Sequence, residues 1–316
     1  MRRVALIYNP ASGQLSGRRT RIIERATALL RDAGVDAEAL ETNGPGNARS
    51  LAKAAVRNGF DAILACGGDG TVHEVLQCLV GTEVALGVVP LGTANALAQD
   101  LGLGRSPLQA VRRLLKAESV QVPVGRIFYR DRLGAEQSRY FTVAAGVGAD
   151  ALMMSRLDFK LKRRFGYALY LVEAFRVWAT SSFPLFESHF KFSDGEASRT
   201  EEVSQLLAVR VRSFGGVLGQ LAPGATVHSR KLSLVAFKTR SRFQYLRFLL
   251  AVIAKRHSFG EHVELVEAAS VECQTRNRSR RTVFVEADGE VLGMLPARIE
   301  VTAEQIMLLV PPGAQP

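Results

Sequence analysis

The stretch "ILACGGDGTVHEVLQCL", residues 63 to 79, places Gly67-Gly68-Asp69-Gly70 between an apolar run and an amphipathic segment. The apolar run is typical of a buried strand, and the apolar spacing after Thr71 predicts a helix. Each glycine loses extra backbone freedom on folding, so a corner built from glycines around one carboxylate needs a physical reason. The segments on either side of this corner indicate the fold around it.

Strand and helix patterns alternate through the first third of the chain. Continuous apolar strands joined by helices are typical of a parallel sheet that is covered on both faces. The sequence therefore predicts an α/β region with strands at 4–9, 35–41, 61–66 and 84–89, and with helices at 17–33, 47–58, 71–80 and from Thr93 onward.

From about residue 121 the pattern changes to short strands separated by turn signals, which predicts a mostly antiparallel β region. Two helices are expected to interrupt it, at 156–180 and 241–256. The second carries Arg242, Arg247, Lys255 and Arg256 beside aromatic and aliphatic residues, which is compatible with a helix lying on an anionic bilayer. Packing against its own sheet is the commoner alternative for such a helix.

Length and charge limit the function classes. A chain of 316 residues predicts two domains, and 41 Lys and Arg against 30 Asp and Glu give a net charge of +11. That charge favours a nucleic acid, nucleotide phosphates or an acidic membrane face as partner. The dense basic block "RNRSRR" (276–281) is better interpreted as a solvated loop, so no nucleic-acid partner is expected.

The cysteines and the apolar runs exclude other classes. Cys66, Cys78 and Cys273 are odd in number and form no CxxC pair, which argues against a disulfide framework or a zinc site and favours a reducing compartment. No run reaches the roughly 18 apolar residues of a membrane span. We expect a protein that is soluble or sits on a membrane without crossing it.

The glycine corner is suited to an anion. A glycine-rich turn between a parallel strand and a helix presents backbone N–H groups and the helix dipole to a phosphate. A carboxylate there would repel the phosphate unless Asp69 holds Mg²⁺ through water or accepts a proton from an attacking hydroxyl. A plain Asp-Gly turn is the alternative. Thr71 and Glu74 match a capping box at the start of the helix.

The same design occurs at two other strand ends. "VVPLGTANALAQDLGL" (88–103) has Gly92, a helix opening at Thr93 and Asn95 in its first turn, and "YNPASG" (8–13) follows the first strand. Ligands bind at the carboxyl edge of a parallel sheet, so these corners predict one nucleotide cleft. Walker, protein-kinase, HExxH and GxSxG motifs are absent from the sequence.

These segments resemble the diacylglycerol kinase catalytic-domain superfamily, which includes bacterial lipid kinases and the sphingosine and ceramide kinases. Further segments of the chain match it in the family's order. The matching segments are "NPASG" (9–13), "GGDGTVHEVLQCL" (67–79), "PLGTANALAQDLG" (90–102), "AAGVGADAL" (144–152), "GGVLGQLAPGA" (215–225) and "VEADGE" (285–290).

The resemblance implies two domains. The first is an α/β nucleotide-binding domain like that of NAD kinase and phosphofructokinase, at 1–122 and completed by 304–316. The second, at 123–303, is an antiparallel β-sandwich domain that shapes the lipid site.

The resemblance also implies roles for individual residues. Asp69 would be the base or the metal organiser, Glu290 the second catalytic carboxylate, and Asp150 a ligand of the lipid head group. "VEADGEVL" also fits a plain hairpin with an Asp-Gly turn. The residues expected to bind the nucleotide are Asn9, Thr42, Gly67, Gly68, Gly70, Thr71, Glu74, Thr93 and Asn95.

The chain departs from the family pattern in two places. Asn95 is followed by Ala96, as in sphingosine-type kinases. Ser229-Arg230 stands where many members have an Asp-Gly pair that belongs to a structural Mg²⁺ site, which puts that metal in doubt here.

We therefore expect an ATP- and Mg²⁺-dependent kinase that phosphorylates a hydroxyl of diacylglycerol, a sphingoid base or a related lipid. It would be cytoplasmic and peripheral on the inner face of the membrane, with the anionic membrane surface as a partner. A homodimer is left open. The alternatives are a NAD kinase and a catalytically silent module that senses a nucleotide or a lipid.

Overall fold

The computed structural model describes residues 1–10, 19–156, 167–193, 197–214, 220–254, 256, 259–275 and 282–314. It divides into two compact units, Met1–Val124 with Ala303–Pro316, and Gly125–Thr302. The domains 1–122 with 304–316 and 123–303, which the resemblance implies, stay predictions, as do their nucleotide-binding and lipid-binding roles. Among the described residues, no helix combines the length and the apolar character needed to cross a bilayer.

The first unit is built from strands and helices in alternation. Its elements are β1 (Arg3–Tyr8), α1 (Arg19–Asp32), β2 (Asp36–Glu41), α2 (Asn47–Arg57), β3 (Ala62–Gly67), α3 (Asp69–Leu79), β4 (Ala85–Pro90), α4 (Ala96–Asp100), α5 (Pro107–Leu114), the start of β5 (Glu118–Arg130) and the end of β15 (Glu290–Val310).

The sheet of this unit is parallel, with strand order β15-β4-β3-β1-β2. Every residue of β3 and β4 is buried, as expected for strands covered on both faces. The chain passes from β1 to β2 on one side and then to β3 on the other. In open α/β sheets, ligands bind at the carboxyl ends of the strands where the direction reverses in this way. The predicted α/β fold is confirmed.

Glycines end the first helices of this unit where the sequence predicts. Gly34 has a φ of 80°, and the amide of Val35 donates to the Leu30 carbonyl at 3.0 Å, which closes α1. Gly59, with a φ of 74°, follows α2 in the same way. Two starts differ from prediction: α3 begins at Asp69, and α4 begins at Ala96 instead of Thr93.

The second unit is mostly antiparallel β, as predicted. Its sheet runs in the order β12-β11-β10-β7-β14-β15, with β13, β8 and β9 attached through β15 and with β6 paired to β5. The elements are β5 from Gly125, β6 (Glu136–Phe141), β7 (Ala144–Gly148), α6 (Ala149–Arg156), α7 (Tyr167–Thr180), β8 (Phe186–Lys191), β9 (Arg199–Val203), β10 (Gln205–Val209), β11 (Leu232–Phe237), α8 (Arg242–Ile253), β12 (Val263–Ala268), β13 (Ser270–Gln274), β14 (Phe284–Ala287) and β15 to Thr302.

The core of this unit combines many aliphatic side chains with a few aromatic ones, and Phe141, Phe186 and Phe190 are fully buried. The predicted hairpin turn at Asp288-Gly289 is confirmed, because φ is 49° and 83° at these residues, as in a type I′ turn.

One helix prediction in this unit is wrong in its bounds. The helix expected at 156–180 ends at Thr180 as predicted, but α6 begins earlier, at Ala149, and includes Arg156. Gly148, with a φ of 106°, makes the change from strand to helix. Residues 157–166 lie outside the described part of the chain.

Candidate active site

The carboxyl ends of four neighbouring strands carry the predicted nucleotide ligands of the first unit. Asn9 follows β1, Thr42 follows β2, Gly68 follows β3, and the segment from Leu91 follows β4. Two backbone hydrogen bonds continue the pairing past the strand ends: the Thr42 amide donates to the Tyr8 carbonyl, and the Leu91 amide donates to the Gly67 carbonyl, both at 2.9 Å. The sheet thus brings these corners side by side.

Glycine is required where the two corners meet. A Cβ atom built on Gly92 would lie 2.3 Å from the Cα atom of Gly68, and one built on Gly68 would lie 3.3 Å from the Cα atom of Gly92. Since the neighbour in each case is backbone, no side chain can move aside to make room. Glycine at both positions also leaves no Cβ atom between the two corners, as a phosphate cradle requires.

Asn95 fixes the shape of the second corner. It is buried and has a φ of 52°, in the left-handed region that asparagine tolerates better than most residues. Its Oδ1 accepts from the Gly92 amide at 2.9 Å, and its Nδ2 donates to the Gly92 carbonyl at 2.8 Å. Asn95 therefore precedes α4 as its N-cap, while Thr93 lies exposed in the loop before it. The predicted helix start at Thr93 is corrected accordingly.

Asp69 ties the two corners together. Its Oδ2 accepts from the Asn95 amide at 3.1 Å, and its Oδ1 accepts from the Ala96 amide at 2.9 Å. The carboxylate thereby satisfies N–H groups at the start of α4 from a different corner. Asp69 is partly exposed, so its carboxylate combines this structural role with access from the site.

The predicted capping box of Thr71 and Glu74 is wrong. Since α3 begins at Asp69 after the N-cap Gly68, Thr71 lies inside the first turn. A Cβ on Gly67 would lie 2.3 Å from the Thr71 hydroxyl oxygen, so the threonine side chain folds back over Gly67. Glu74 instead reaches the α2 N-terminus, where it accepts from the amides of Gly46 at 2.9 Å and Arg49 at 3.4 Å.

Thr42 presents a buried hydroxyl to the strand edge. The residue is buried, and its Oγ1 has no hydrogen-bond partner among the described residues. A buried hydroxyl without a partner costs about 1 to 3 kcal/mol, so such a group is expected to have one in the working protein. This orphaned donor and acceptor fits the predicted contact with a nucleotide.

Arg19 is a site residue that our sequence reasoning missed. This first residue of α1 is fully buried, and its guanidinium donates to the Asn9 carbonyl at 3.0 Å and to the Leu91 carbonyl at 2.5 Å. Burial lowers the pKa of the guanidinium. The arginine connects the corner after β1 with the corner after β4. Of "NPASG", the structure describes Asn9 and Pro10, and the other residues lie outside the described part.

The second unit holds a pair of neighbouring carboxyl groups, the half-buried Asp150 and the buried Glu286. Asp150 is in the first turn of α6, Glu286 is in β14, and a Cβ on the intervening Gly146 would lie 2.7 Å from an oxygen of each. Burial raises the pKa of Asp150 to about 6, although its hydrogen bond with Glu286 opposes the rise. Burial, and then the charge of Asp150, raise the pKa of Glu286. The pair therefore favours a shared proton near neutral pH.

Glu290 is the first residue of β15 and is half-buried. Two residues earlier, Asp288 accepts hydrogen bonds from the amides of Thr142, Val143 and Ala144 at 2.9 to 3.1 Å. Asp288 thus anchors the turn that carries Glu290, a role absent from our sequence predictions. The "DGE" spacing was the available signal for it.

A cavity of about 330 Å³ lies in the second unit near Asp150. Its wall is formed by the start of α6, the segment after α7, and the start of β14. The lining residues are Gly148, Ala149, Leu152, Arg156, Thr180–Pro184 and Thr282–Phe284.

Comparison with known proteins identifies the family. Residues 3–127 match the model of the diacylglycerol kinase catalytic domain, and residues 142–310 match that of the YegS C-terminal NAD kinase beta sandwich-like domain. The diacylglycerol kinase of Mycobacterium tuberculosis is 31% identical over 98% of this chain and 95% of its own length. The chain belongs to the diacylglycerol kinase family. It is accordingly a kinase that transfers phosphate to the alcohol group of a lipid.

Other members of the diacylglycerol kinase family agree with this assignment. The Bacillus subtilis diacylglycerol kinase is 25% identical over 98% of this chain and 97% of its own length. A crystal structure of a Bacillus anthracis diacylglycerol kinase matches with a TM-score of 0.70 at 18% identity, covering 99% of this chain and 98% of that chain. At that identity the structural match supports the fold alone, and it covers both units.

The loop at Ser229-Arg230, where the family resemblance places a structural Mg²⁺ site, has a different arrangement in this protein. The Ser229 hydroxyl donates to the Lys231 carbonyl at 2.9 Å and accepts from the Lys231 amide at 3.0 Å. The buried guanidinium of Arg210 donates to the carbonyls of Val227 at 2.7 Å and Ser229 at 3.2 Å. Burial lowers the pKa of Arg210 to about 10, so it stays charged at neutral pH. A hydroxyl and a cation already occupy the carbonyls of this loop, which does not fit a divalent ion.

Proposed function

We propose that this protein uses ATP and Mg²⁺ to phosphorylate a hydroxyl group of diacylglycerol, a sphingoid base or a related lipid. The observation that carries the proposal is the junction of Gly68, Gly92 and Asp69 at the carboxyl edge of the parallel sheet. A bare backbone for phosphates and a carboxylate for a proton meet at this junction.

The triphosphate would bind along this edge. The N-terminal turn of α3 would present the Gly70 amide and the positive end of the helix dipole to phosphate oxygens. The Thr71 amide donates to the Gly68 carbonyl at 3.0 Å, so it helps to fix this turn. The buried Thr42 hydroxyl would accept or donate one hydrogen bond to the nucleotide, with Asn9 beside it at the end of β1. Glu74 would act by fixing the loop between Thr42 and α2, and Arg19 by fixing the Asn9 and Leu91 segments. Glu74 is also a predicted direct ligand.

Asp69 would act on the acceptor. As the lipid oxygen forms its bond to the γ-phosphorus, the bond to the ADP leaving oxygen breaks, and the hydroxyl proton passes to a carboxylate oxygen of Asp69. The amides of Asn95 and Ala96 hold that carboxylate in a fixed orientation, which supports catalysis by positioning. Asp69 would instead help to hold Mg²⁺ if it is the metal organiser, and the ion would supply charge neutralisation for the phosphates. Glu290 would be the second catalytic carboxylate.

The lipid would bind in the second unit. The cavity beside α6 has room for part of a lipid, and Asp150 directly follows the lining residues Gly148 and Ala149 along the chain. The pair of Asp150 and Glu286 shares a proton near neutral pH, so it can both donate to and accept from a head-group hydroxyl. The net charge of +11 suits an enzyme that works, from the cytoplasm, on the anionic inner face of a membrane.

The test is phosphoryl transfer from labelled ATP to a total lipid extract, with identification of the labelled product. The Asp69→Asn variant is expected to lose at least about a hundredfold in rate, because a general base contributes roughly 10²- to 10⁴-fold. Asp36→Asn is the matched control, since Asp36 is an exposed carboxylate at the amino end of β2. Thermal unfolding verifies that both variants fold.

Wild-type turnover by Asp69→Asn would rule out the catalytic role. Label transferred to NAD but to no lipid would make the protein a NAD kinase, and no transfer to any acceptor would favour the silent module.

A further inference from the structure

Helix α8 of the second unit is apolar on two opposite faces. On one face Phe248 and Val252 are buried against the sheet. Tyr245 stacks between Phe183 and Phe237, with ring centroids 4.5 Å away on either side. These contacts account for the packing of the helix on its own unit. They leave the second apolar face unexplained.

The second face of α8 is exposed. Phe243 is 77% exposed and Leu250 is 56% exposed, and Leu246 and Ile253 continue the same stripe. The spacing of three, four and three residues places all four side chains on one side of the helix. A run of large apolar side chains on one exposed stripe is uncommon on a protein surface that faces only water.

The neighbouring helix α7 extends this apolar surface. Val172 is 60% exposed and Phe175 is 65% exposed. The Phe175 ring lies 5.5 Å from the Trp178 ring, and the Trp178 indole N–H donates to the Arg242 carbonyl at 2.8 Å. Contacts therefore run from the exposed residues of α7 to the start of α8. We call the exposed side chains of the two helices the bare face: Val172, Phe175, Phe243, Leu246, Leu250 and Ile253.

The charges around the bare face are positive. Helix α8 contains Arg242 and Arg247 and has no Asp or Glu in its sequence. The single acidic residue of α7, Glu173, is buried, and its Oε1 lies 3.6 Å from the exposed Arg176 guanidinium. The exposed parts of both helices thus combine large apolar side chains with arginine.

We propose that the bare face is the surface by which this protein docks on an anionic lipid bilayer. Exposed Phe and Leu flanked by arginine is the composition that binds at the headgroup boundary, where apolar groups enter and cations meet lipid phosphates. A second copy of this chain fits less well, because pairing two bare faces would bring arginines against arginines. The inference rests on the proposed function for its purpose, since it supplies a lipid kinase with access to its substrate.

The bare face adjoins the cavity. The Arg242 guanidinium donates to the carbonyls of Ala179 at 2.7 Å and Ser181 at 3.1 Å, at the C-terminal end of α7. Ser181 and the following Phe183 line the cavity, and Phe183 stacks on Tyr245 of α8. Docking through the bare face would therefore hold one wall of the cavity against the bilayer, so that a lipid can enter without crossing water.

The test measures binding of the full-length protein to phosphatidylcholine vesicles with and without phosphatidylglycerol. The double variant Phe243→Ser, Leu250→Ser is expected to bind the anionic vesicles at least about tenfold more weakly, because it loses two apolar insertions. Leu133→Ser is the matched control, since Leu133 is 95% exposed in the turn between β5 and β6. It should bind like the wild type, and thermal unfolding should be unchanged in both variants.

The outcomes separate this inference from the kinase assignment. Wild-type vesicle binding by the double variant overturns the docking surface, whatever the kinase activity. Another outcome is that light scattering shows a dimeric wild type and a monomeric double variant, with unchanged vesicle binding. In that case the bare face is a dimer interface and the proposal is wrong. If the double variant loses vesicle binding but the wild type phosphorylates no detergent-dispersed lipid, the docking surface stands and the proposed function fails.

Discussion

At the scale of single residues, the contact between Gly68 and Gly92 restricts the choice of side chain at both positions. The two glycines come from different strand ends, and their backbones lie closer than any Cβ would allow. The carboxylate of Asp69 and the amide group of Asn95 then hold the two loops in register. Substitution at this contact should lower the stability of the fold and displace the two loops at the proposed phosphate site.

We expect Gly92→Ala to lower the free energy of unfolding by about 1 to 3 kcal/mol, because the added methyl group overpacks against fixed backbone. Phosphoryl transfer should fall at least about tenfold at temperatures where the variant is folded, since the two corners must separate. Urea unfolding and the labelled-ATP assay measure the two effects. Gly44→Ala serves as the control, because its Cβ would meet nothing within 4 Å. Equal stability and rate in the two variants would contradict this account.

Residue positions in the site were predictable where local sequence decides them. The glycines and Asp69 stand out because they interrupt a strand-to-helix pattern. The bonds from Asp69 to the amides of Asn95 and Ala96 were not predictable, since they join loops that are 26 and 27 residues apart. Thr71 and Glu74 show the opposite error: a local motif was present, but α3 begins two residues before Thr71 and Glu74 binds another helix.

At the scale of elements, α6 and β14 are joined by the Asp150 and Glu286 pair. A carboxyl group whose pKa is raised in the folded state binds its proton more tightly when folded. The stabilisation is therefore present below the unfolded pKa, near 4, and is lost as pH rises through the folded pKa of about 6. The pair makes the packing of α6 on β14 sensitive to pH in that window.

Between pH 4 and pH 7, we expect the free energy of unfolding of the wild type to fall by about 1 to 3 kcal/mol more than that of the Glu286→Gln variant. The amide removes the repulsion between the two carboxylates, so the variant should show a flatter dependence. Denaturant unfolding across this range measures the difference. Glu261→Gln, at an exposed carboxylate, should follow the wild type. Parallel curves for wild type and Glu286→Gln would refute the coupling.

The loop around Ser229 leads to a prediction about metal removal. The Ser229 hydroxyl and the Arg210 guanidinium already satisfy the carbonyls of this loop. The Tm measured in EDTA should therefore differ from the Tm measured with added Mg²⁺ by less than about 1 °C. Ser229→Ala should instead lower the free energy of unfolding by about 1 kcal/mol, the worth of a typical hydrogen bond. A Tm several degrees lower in EDTA would show that this loop depends on a divalent ion.

The elements themselves were predictable where one periodicity dominates. The strands and helices of the first unit follow clear apolar patterns, so their existence and order were correct. The helix α6 was missed because Gly146, Gly148 and the short run after them resemble a turn, and the start of a helix after a glycine with positive φ leaves no periodic signal. Element ends were set by caps, such as Asn95, that depend on contacts outside the element.

At the scale of the whole molecule, family membership and charge were predictable from the sequence, whereas the cavity of the second unit was not. Its wall combines segments near residues 148, 180 and 283, which only the fold brings together. The exposed stripe of α8 was similarly hidden, since its sequence is apolar on both sides and only packing shows which side is covered.

The position of β15 in the chain affects how the first unit can fold during synthesis. Its residues from Ala303 onward belong to the first unit, pair with β4, and bury Leu308 and Leu309. Until residues 303–310 have been synthesised, the edge of β4 that pairs with them is open, although β1, β2 and β3 precede β4 in the chain. The nascent chain must therefore keep that edge from pairing with other molecules while the rest of the protein is made. A message that stops before codon 303 would yield a product with a permanently open sheet, prone to aggregate.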